Sequence, residues 1–244
     1  QTTTNTHPNE HTHNRAQEHT NTRTKTQTQA YKHKQTRAQT RTTHARTLSR
    51  LLAHASTMRE ITLAGLSRPL LLHEATPEAL RAATANFERG RAADPFGLAC
   101  WPAARVLAEA LLEQRPSASI VELGAGTGLV SLAAAAGGLR CVATDVSDEP
   151  LALLRASAAA QSLRVPTAVF DFTSDAPLPS PAPTLIVAAD AIYNDELADA
   201  CARRCAEAAG ALVADSVGVY RARFESALSA SGLRWRSANT RLRW

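Results

Sequence analysis

Two hydrophobic rhythms alternate along this chain from about residue 95 onward. Short apolar runs recur at Ser119–Leu123, Arg140–Asp145, Thr167–Phe170, Thr184–Ala189 and Ala211–Ala214. Each is too short for a helix and rich in apolar or β-branched residues, as a strand buried on both faces requires. Between them lie longer stretches with apolar residues at helical spacing: Leu129–Ala136, Asp148–Gln161 and Asn194–Ala209. A further helix is expected over Tyr220–Ala230. Strands alternating with helices predict an α/β fold with a parallel, doubly wound sheet. Leu233–Arg236 and Arg241–Trp244 alternate apolar with basic residues instead, and read as a terminal antiparallel strand pair completing a seven-stranded, mostly parallel sheet. Upstream, Glu60–Leu63 and Pro69–Leu72 read as a hairpin turning at Gly65–Arg68. Thr76 caps a helix that Pro77 opens, and Pro102 opens another with a stripe at Val106, Leu107, Ala110 and Leu111.

The first 47 residues carry neither rhythm. Threonine alternates there with polar and basic residues, as in Thr20–Thr28, and such a segment is expected to be disordered because it has little apolar surface to bury. Acid-poor and basic, the segment has the composition of an organelle-targeting sequence without the Leu or Phe stripe of a targeting helix; a repeated dinucleotide in the coding strand also reads in this way and would set the native start near Met58. The organisation expected is therefore a low-complexity tail over 1–50, an extension over 51–94 and a ligand-binding domain over 95–244.

The chemistry is concentrated where the first strand of the domain ends. Glu122-Leu-Gly124-Ala-Gly126-Thr-Gly128 joins that strand to a helix through a turn with almost no side-chain bulk, which lets a ligand lie against the main chain. A dinucleotide fingerprint counted from Gly124 requires glycine at 129, where Leu129 stands, and no lysine follows to make a phosphate-cradling loop. Asp145 ends the second strand, 21 positions after Gly124, where a carboxylate can accept both hydroxyls of a ribose. That ribose belongs equally to NAD and to S-adenosylmethionine. Ala189, Asp190 and Tyr193 follow the fourth strand at the carboxyl edge of the sheet, where open parallel sheets bind their ligands. Asp190 also reads as a cap for the helix that begins at Asn194.

The Glu122-x-Gly124-x-Gly126-x-Gly128 motif resembles the first motif of the class I S-adenosylmethionine-dependent methyltransferases, whose fold is Rossmann-like. Leu72-His-Glu-Ala-Thr-Pro-Glu78, Asp94-Pro-Phe-Gly97 and Trp101-Pro102 narrow the likeness. They are similar to the protein-lysine methyltransferases of the seven-strand class, above all the branch acting on the electron-transfer flavoprotein β-subunit. Bacterial members of that branch are often labelled nicotinamide N-methyltransferases. The resemblance spans about residues 68–244. It implies that Trp101 lies beside the cofactor and substrate channel, although a tryptophan at a helix start also reads as core. It implies further that Asp171 contacts the adenine amino group and that Phe172 packs on the ring. Asp190-x-x-Tyr193 is similar to the post-strand motif of the same lysine-directed group, and differs from the Asn-Pro-Pro-Tyr used on planar amides and adenine; Asp190 and Tyr193 are the expected catalytic residues, Asp190 orienting the acceptor amine and Tyr193 or Trp101 shaping an aromatic wall.

The expected activity is therefore N-methylation with S-adenosyl-L-methionine as cofactor and no metal. A lysine of a protein substrate is the first acceptor considered, and a small amine or heterocycle the second. A binding module without turnover is a third reading. A nicotinamide-dependent oxidoreductase has less support, because no lysine follows Lys34 to serve a Tyr-x-x-x-Lys pair.

Charge and cysteine content adjust this picture only at the edges. The formal net charge is +5, but residues 1–50 hold nine of the 27 basic and two of the 22 acidic side chains, leaving the remainder slightly acidic. A nucleic-acid footprint on the fold is therefore not expected. No run reaches the roughly 18 apolar residues of a membrane helix. Cys100, Cys141, Cys201 and Cys205 form no C-x-x-C pair, which fits a reduced, intracellular setting. A monomer is expected.

Overall fold

The computed structural model describes residues 55–92, 94–180 and 184–238, which lie within one compact unit spanning Arg50–Trp244. Expectations for the tail at 1–50 and for Arg241–Trp244 fall outside the described residues. The hairpin forms as an antiparallel pair, β1 (Ser56–Ile61) and β2 (Leu70–Ala75), separate from the main sheet. Helix α1 (Pro77–Glu88) follows, with Thr76 Oγ1 accepting the Ala79 N–H at 3.2 Å. A 3₁₀ turn (Phe96–Leu98) then leads to α2 (Pro102–Gln114).

From there strand and helix alternate as the sequence pattern requires: β3 (Ser119–Leu123), α3 (Leu129–Ala136), β4 (Cys141–Asp145), α4 (Asp148–Ala160) and β5 (Thr167–Val169). The second half supplies β6 (Thr184–Ala189), α5 (Asp195–Ala206), β7 (Gly210–Ala214) and α6 (Arg221–Ala230). The five strands lie in the order β5-β4-β3-β6-β7, and every pairing is parallel. This is a Rossmann-like α/β fold. The seven-strand expectation is corrected among the described residues: Leu233–Arg236 forms no strand. Its intended partner lies beyond Ala238, and the segment satisfies itself locally. Leu233 packs against the α5/α6 core, and the Trp235 indole donates to Ser229 Oγ at 3.1 Å.

Strand alternation decides which helices cover which face. Val121 and Leu123 point to a core shared with Ile186, Ala188, Ala198 and Cys201, under α5 and α6. Ile120 points the other way, to Leu107, Leu111, Val130 and Ala134 of α2 and α3. The hairpin adds Leu70 and Leu72 to the outside of that second layer, against Ala108, Leu129 and Leu132. Among the described residues no helix is long and apolar enough to cross a membrane.

Strand β3 is the hinge of the topology, since the chain leaves it toward β4 on one side and returns as β6 on the other. The crevice at the carboxyl ends of β3 and β6 is thus the switch point at which sheets of this kind bind ligands.

Candidate active site

At the tip of β3, Gly124, Gly126 and Gly128 all have positive φ, at 62°, 54° and 82°. A Cβ on Gly128 would overlap Leu154 Cδ1 and Cγ, so that glycine lets the turn press against α4. Gly126 serves a different contact. A Cβ there would lie 3.1 Å from the Gly97 carbonyl oxygen, because the 3₁₀ turn rests directly on the glycine loop.

Asp145 holds the loop from the neighbouring strand. Its Oδ2 accepts the Gly126 N–H at 2.9 Å, and its Oδ1 accepts the Ser147 N–H at 3.0 Å. The side chain is buried, and burial raises its pKa despite these two bonds, with the charge of Asp94 adding in the same direction. A carboxylate with further lone pairs beside a turn stripped of side chains fits an adenosine ribose. The same residues would hold S-adenosylmethionine.

Glu122 turns toward α3. Its Oε2 accepts both the backbone N–H of Ser131, at 3.0 Å, and the Ser131 hydroxyl. Gly128 has no side chain with which to cap α3, so Glu122 caps the first turn of that helix from inside the sheet. Burial lifts its pKa to about 8, against the lowering effect of Ser131. A carboxyl that is protonated in the fold and ionised when unfolded stabilises less as pH rises from about 4.5 to about 8. Urea titrations at pH 5 and pH 8 are expected to show this loss in the wild type, and Glu122→Gln is expected to flatten it.

Beyond β6, Asp190 adopts φ of 51°, a left-handed conformation costing an ordinary residue about 1–2 kcal/mol. Its carboxylate accounts for the choice. Oδ2 accepts the Ala103 N–H at 2.9 Å, in the first turn of α2, and Oδ1 accepts from the N–H and hydroxyl of Ser216 at 2.7 and 2.8 Å. Hydrogen bonds to a charged acceptor contribute about 1.5–3 kcal/mol each, which exceeds the backbone strain. Asp190 does cap a helix, but it is α2; Asn194 Oδ1 caps α5 through the Leu197 N–H at 2.8 Å.

The aromatic residues gather at the mouth. Phe96 meets Phe87, Trp101 and Tyr193 edge-to-face, with centroids 6.1, 6.0 and 6.0 Å apart. Trp101 and Tyr193 are 41% and 47% exposed, so neither is a core residue. The Trp101 indole donates to the Phe96 carbonyl at 2.8 Å. The Tyr193 hydroxyl donates to Asp94 Oδ2 at 2.8 Å, while Asp94 Oδ1 accepts the Phe96 N–H at 2.7 Å. Burial, and then Asp94 as acceptor, push the Tyr193 pKa far upward, so it stays a phenol and serves as a donor.

The third strand ends differently from the expectation for an open adenine platform. Asp171 is exposed, and its Oδ1 accepts from the N–H and hydroxyl of Thr173 at 2.9 and 2.7 Å, which lowers its pKa. Phe172 is buried in the α5/α6 core. The carbonyl beside it accepts from Arg204 Nε at 3.0 Å, and Arg204 itself is 2% exposed, paired with Glu207 at 2.7 Å. Ala189 ends β6 beside the glycine loop, in register with Ala214 of β7.

Glu122, Gly124, Gly126, Gly128, Asp145, Ala189, Asp190, Trp101 and Tyr193 therefore converge on one end of the sheet, with Asp171 and Phe172 at its β5 side. Sequence reasoning uses Asp94-Pro-Phe-Gly97 only as a mark of resemblance and gives it no site role; the structure places Asp94 and Phe96 against Tyr193, and Gly97 against Gly126. The mark it carries is an Asp-Pro-Phe-Gly run too short to fix its own position. A groove of about 330 Å³ lies at the opposite pole, lined by Ser119, Arg140 and Arg164 at the amino ends of the strands. It is far from the switch point. No cluster of metal-ligating side chains occurs among the described residues.

Several solved structures resemble this chain. CcbJ methyltransferase from Streptomyces caelestis is 22% identical over 46% of this chain and 51% of its own, with a TM-score of 0.38. The present chain thus spans about half of its length. Ribosomal protein L11 methylase from Lactobacillus delbrueckii subsp. bulgaricus is 22% identical over 54% and 72%, with a TM-score of 0.40. The glycopeptide N-methyltransferase MtfA, solved with sinefungin, is 18% identical over 57% and 60%, with a TM-score of 0.38. No curated protein matches. The family model described as lysine methyltransferase matches residues 88–235, more than half of the chain, taking in the mouth, the glycine loop, Asp145 and Asp190. The chain belongs to that family.

Proposed function

We propose that the protein transfers a methyl group to the side-chain amine of a lysine in a protein substrate, within the branch typified by the electron-transfer flavoprotein β-subunit enzymes. The observation that carries the reading is the half-exposed aromatic mouth of Phe96, Trp101 and Tyr193, set beside Asp94 at the rim of the cofactor crevice. Aromatic faces accept a cationic nitrogen on a slender stem and have no hydrogen-bond pattern with which to read a base or an amide.

S-adenosylmethionine supplies an electrophilic methyl group on a positively charged sulfur. The chain positions that group and the acceptor, which is where most of the available rate enhancement lies when a cofactor brings the reactive bond. Asp145 and the glycine loop hold the nucleoside end. The Phe96–Leu98 turn, lying on Gly126, excludes water from it. Asp190 fixes the start of α2 to the ends of β6 and β7, so that Trp101 and Tyr193 face each other across Phe96. Tyr193, kept as a phenol, orients Asp94.

Methylation with tritiated donor tests the reading, with the full chain added to a protein extract and, separately, to a metabolite extract. Label in protein, found by mass spectrometry on lysine, is the expected result. Label confined to the metabolite extract would replace lysine by a small amine or heterocycle as acceptor. Titration with S-adenosylhomocysteine and with NAD tests the cofactor independently; binding of the first alone is expected.

A further inference from the structure

Two acids stand near the acceptor side of the crevice, Asp190 after β6 and Asp94 before the 3₁₀ turn. Asp190 accepts three hydrogen bonds, one from α2 and two from Ser216 after β7, and serves as an internal tie. Asp94 is placed differently. It accepts two hydrogen bonds, from the Phe96 N–H and the Tyr193 hydroxyl, which leaves lone pairs for a further donor at the mouth, on a turn whose Phe96 ring contacts both Trp101 and Tyr193. Three residues on, a Cβ at Gly97 would come within 3.6 Å of Asp145 Oδ2, so the turn passes directly beside the ribose-binding acid. Asp94 therefore occupies the acceptor side of the crevice and Asp145 the nucleoside side, one short turn apart.

Resting on the lysine reading above, we propose that Asp94 is the substrate-binding carboxylate: it accepts an N–H of the incoming primary amine and stands opposite the positive charge that reaches its nitrogen. The chemistry needs such a group. The ammonium form of the amine has no lone pair, so its surplus proton passes to water before attack. The nitrogen lone pair then forms the new N–C bond as the S–C bond breaks, with the bonding electrons remaining on sulfur as a neutral thioether. The positive charge thus moves from sulfur to nitrogen. Asp94 and the faces of Phe96, Trp101 and Tyr193 await it there, in a site that need not reorganise to receive it.

The test uses the full chain saturated with S-adenosylhomocysteine and n-butylammonium as a stand-in for a lysine side chain, with 1-butanol as its uncharged counterpart. Binding is read from the Trp101 indole N–H resonance, assigned with Trp101→Phe. Asp94→Asn is nearly isosteric: its oxygen can still accept from Phe96, and its amide can donate to the Tyr193 oxygen. That variant isolates the charge from the shape of the turn. The wild type is expected to bind butylammonium at least about tenfold more tightly than butanol, a difference of about 1.4 kcal/mol. Asp94→Asn is expected to lose that preference while binding S-adenosylhomocysteine about as tightly as wild type. A wild type that does not distinguish the two probes overturns the proposal without any variant being needed. So does an Asp94→Asn protein that retains the preference. Transfer to protein lysine with Asp94→Asn fully active would also overturn it, leaving the lysine reading intact. Conversely, an Asp94-dependent preference for butylammonium together with label only in metabolites would keep Asp94 as the amine site and remove lysine as the acceptor.

Discussion

Asp145→Ala is expected to weaken S-adenosylhomocysteine binding by at least about 100-fold, with the folded state retained. The carboxylate fastens Gly126 of the glycine loop to the end of β4 and bonds Ser147 at the start of the next helix. In the proposed cofactor site its remaining lone pairs take the two ribose hydroxyls. Two ribose hydroxyls donating to a charged acceptor contribute about 1.5–3 kcal/mol each, so their loss alone accounts for two or more orders of magnitude. Asp145→Asn keeps one oxygen acceptor and is expected to fall between wild type and alanine. The pH dependence has a definite sign. Because burial raises the Asp145 pKa, binding is expected to weaken as pH falls through a range where an ordinary aspartate is still ionised. Isothermal titration at several pH values checks both points, and an alanine variant binding as tightly as wild type would refute the assignment.

The second large effect concerns stability. In Gly128→Ala, the new methyl group would overlap Leu154 Cδ1 and Cγ and stand 3.0 Å from its Cβ, at a φ of 82°. Overpacking of a tight interior costs about 1–3 kcal/mol, and the left-handed backbone adds about 1–2. A loss of about 2–5 kcal/mol is therefore expected, out of the roughly 5–15 kcal/mol typical of a whole domain. Gly138→Ala separates the two contributions. Its φ is 75° but nothing lies within 4 Å of the added methyl, so only the backbone cost should appear. Urea unfolding of the two variants checks this, and equal destabilisation would show that the contact with Leu154 relaxes freely.

The parallel core is legible in the sequence because its physics is local. Thr184–Ala189 reads as a strand from its apolar run alone and forms one with the same bounds. The glycine turn and Asp145 are legible for a related reason, since spacing along a βαβ unit fixes their meeting in space. The residues of the mouth stand in quoted motifs, but the meeting of Asp94 with Tyr193 is not legible. Asp94 and Tyr193 are 99 positions apart, and nothing in either neighbourhood specifies the other. Glu122 reads toward the cofactor because it belongs to the motif, yet strand alternation turns it toward α3, where it supplies a cap that Gly128 lacks. Asp190 reads as a cap, but the residue it bonds in α2 precedes it by 87 positions, a tertiary choice invisible to local reading. The terminal strand expected at Leu233–Arg236 is absent among the described residues, where Leu233 packs against the α5/α6 core and the Trp235 indole donates to Ser229.

The tie made by Asp190 has a mechanical consequence. It grips the backbone two residues after Trp101, and it precedes Tyr193 by three, so the gap between those rings is set by a circuit of a few covalent steps and one hydrogen bond. Motion of the hairpin or of the outer helices enters that circuit only at second hand. The aperture is in effect a gauge of fixed bore, able to hold its width while the surrounding surface drifts; on the lysine reading proposed above, that surface is the part free to suit the macromolecule presenting the side chain.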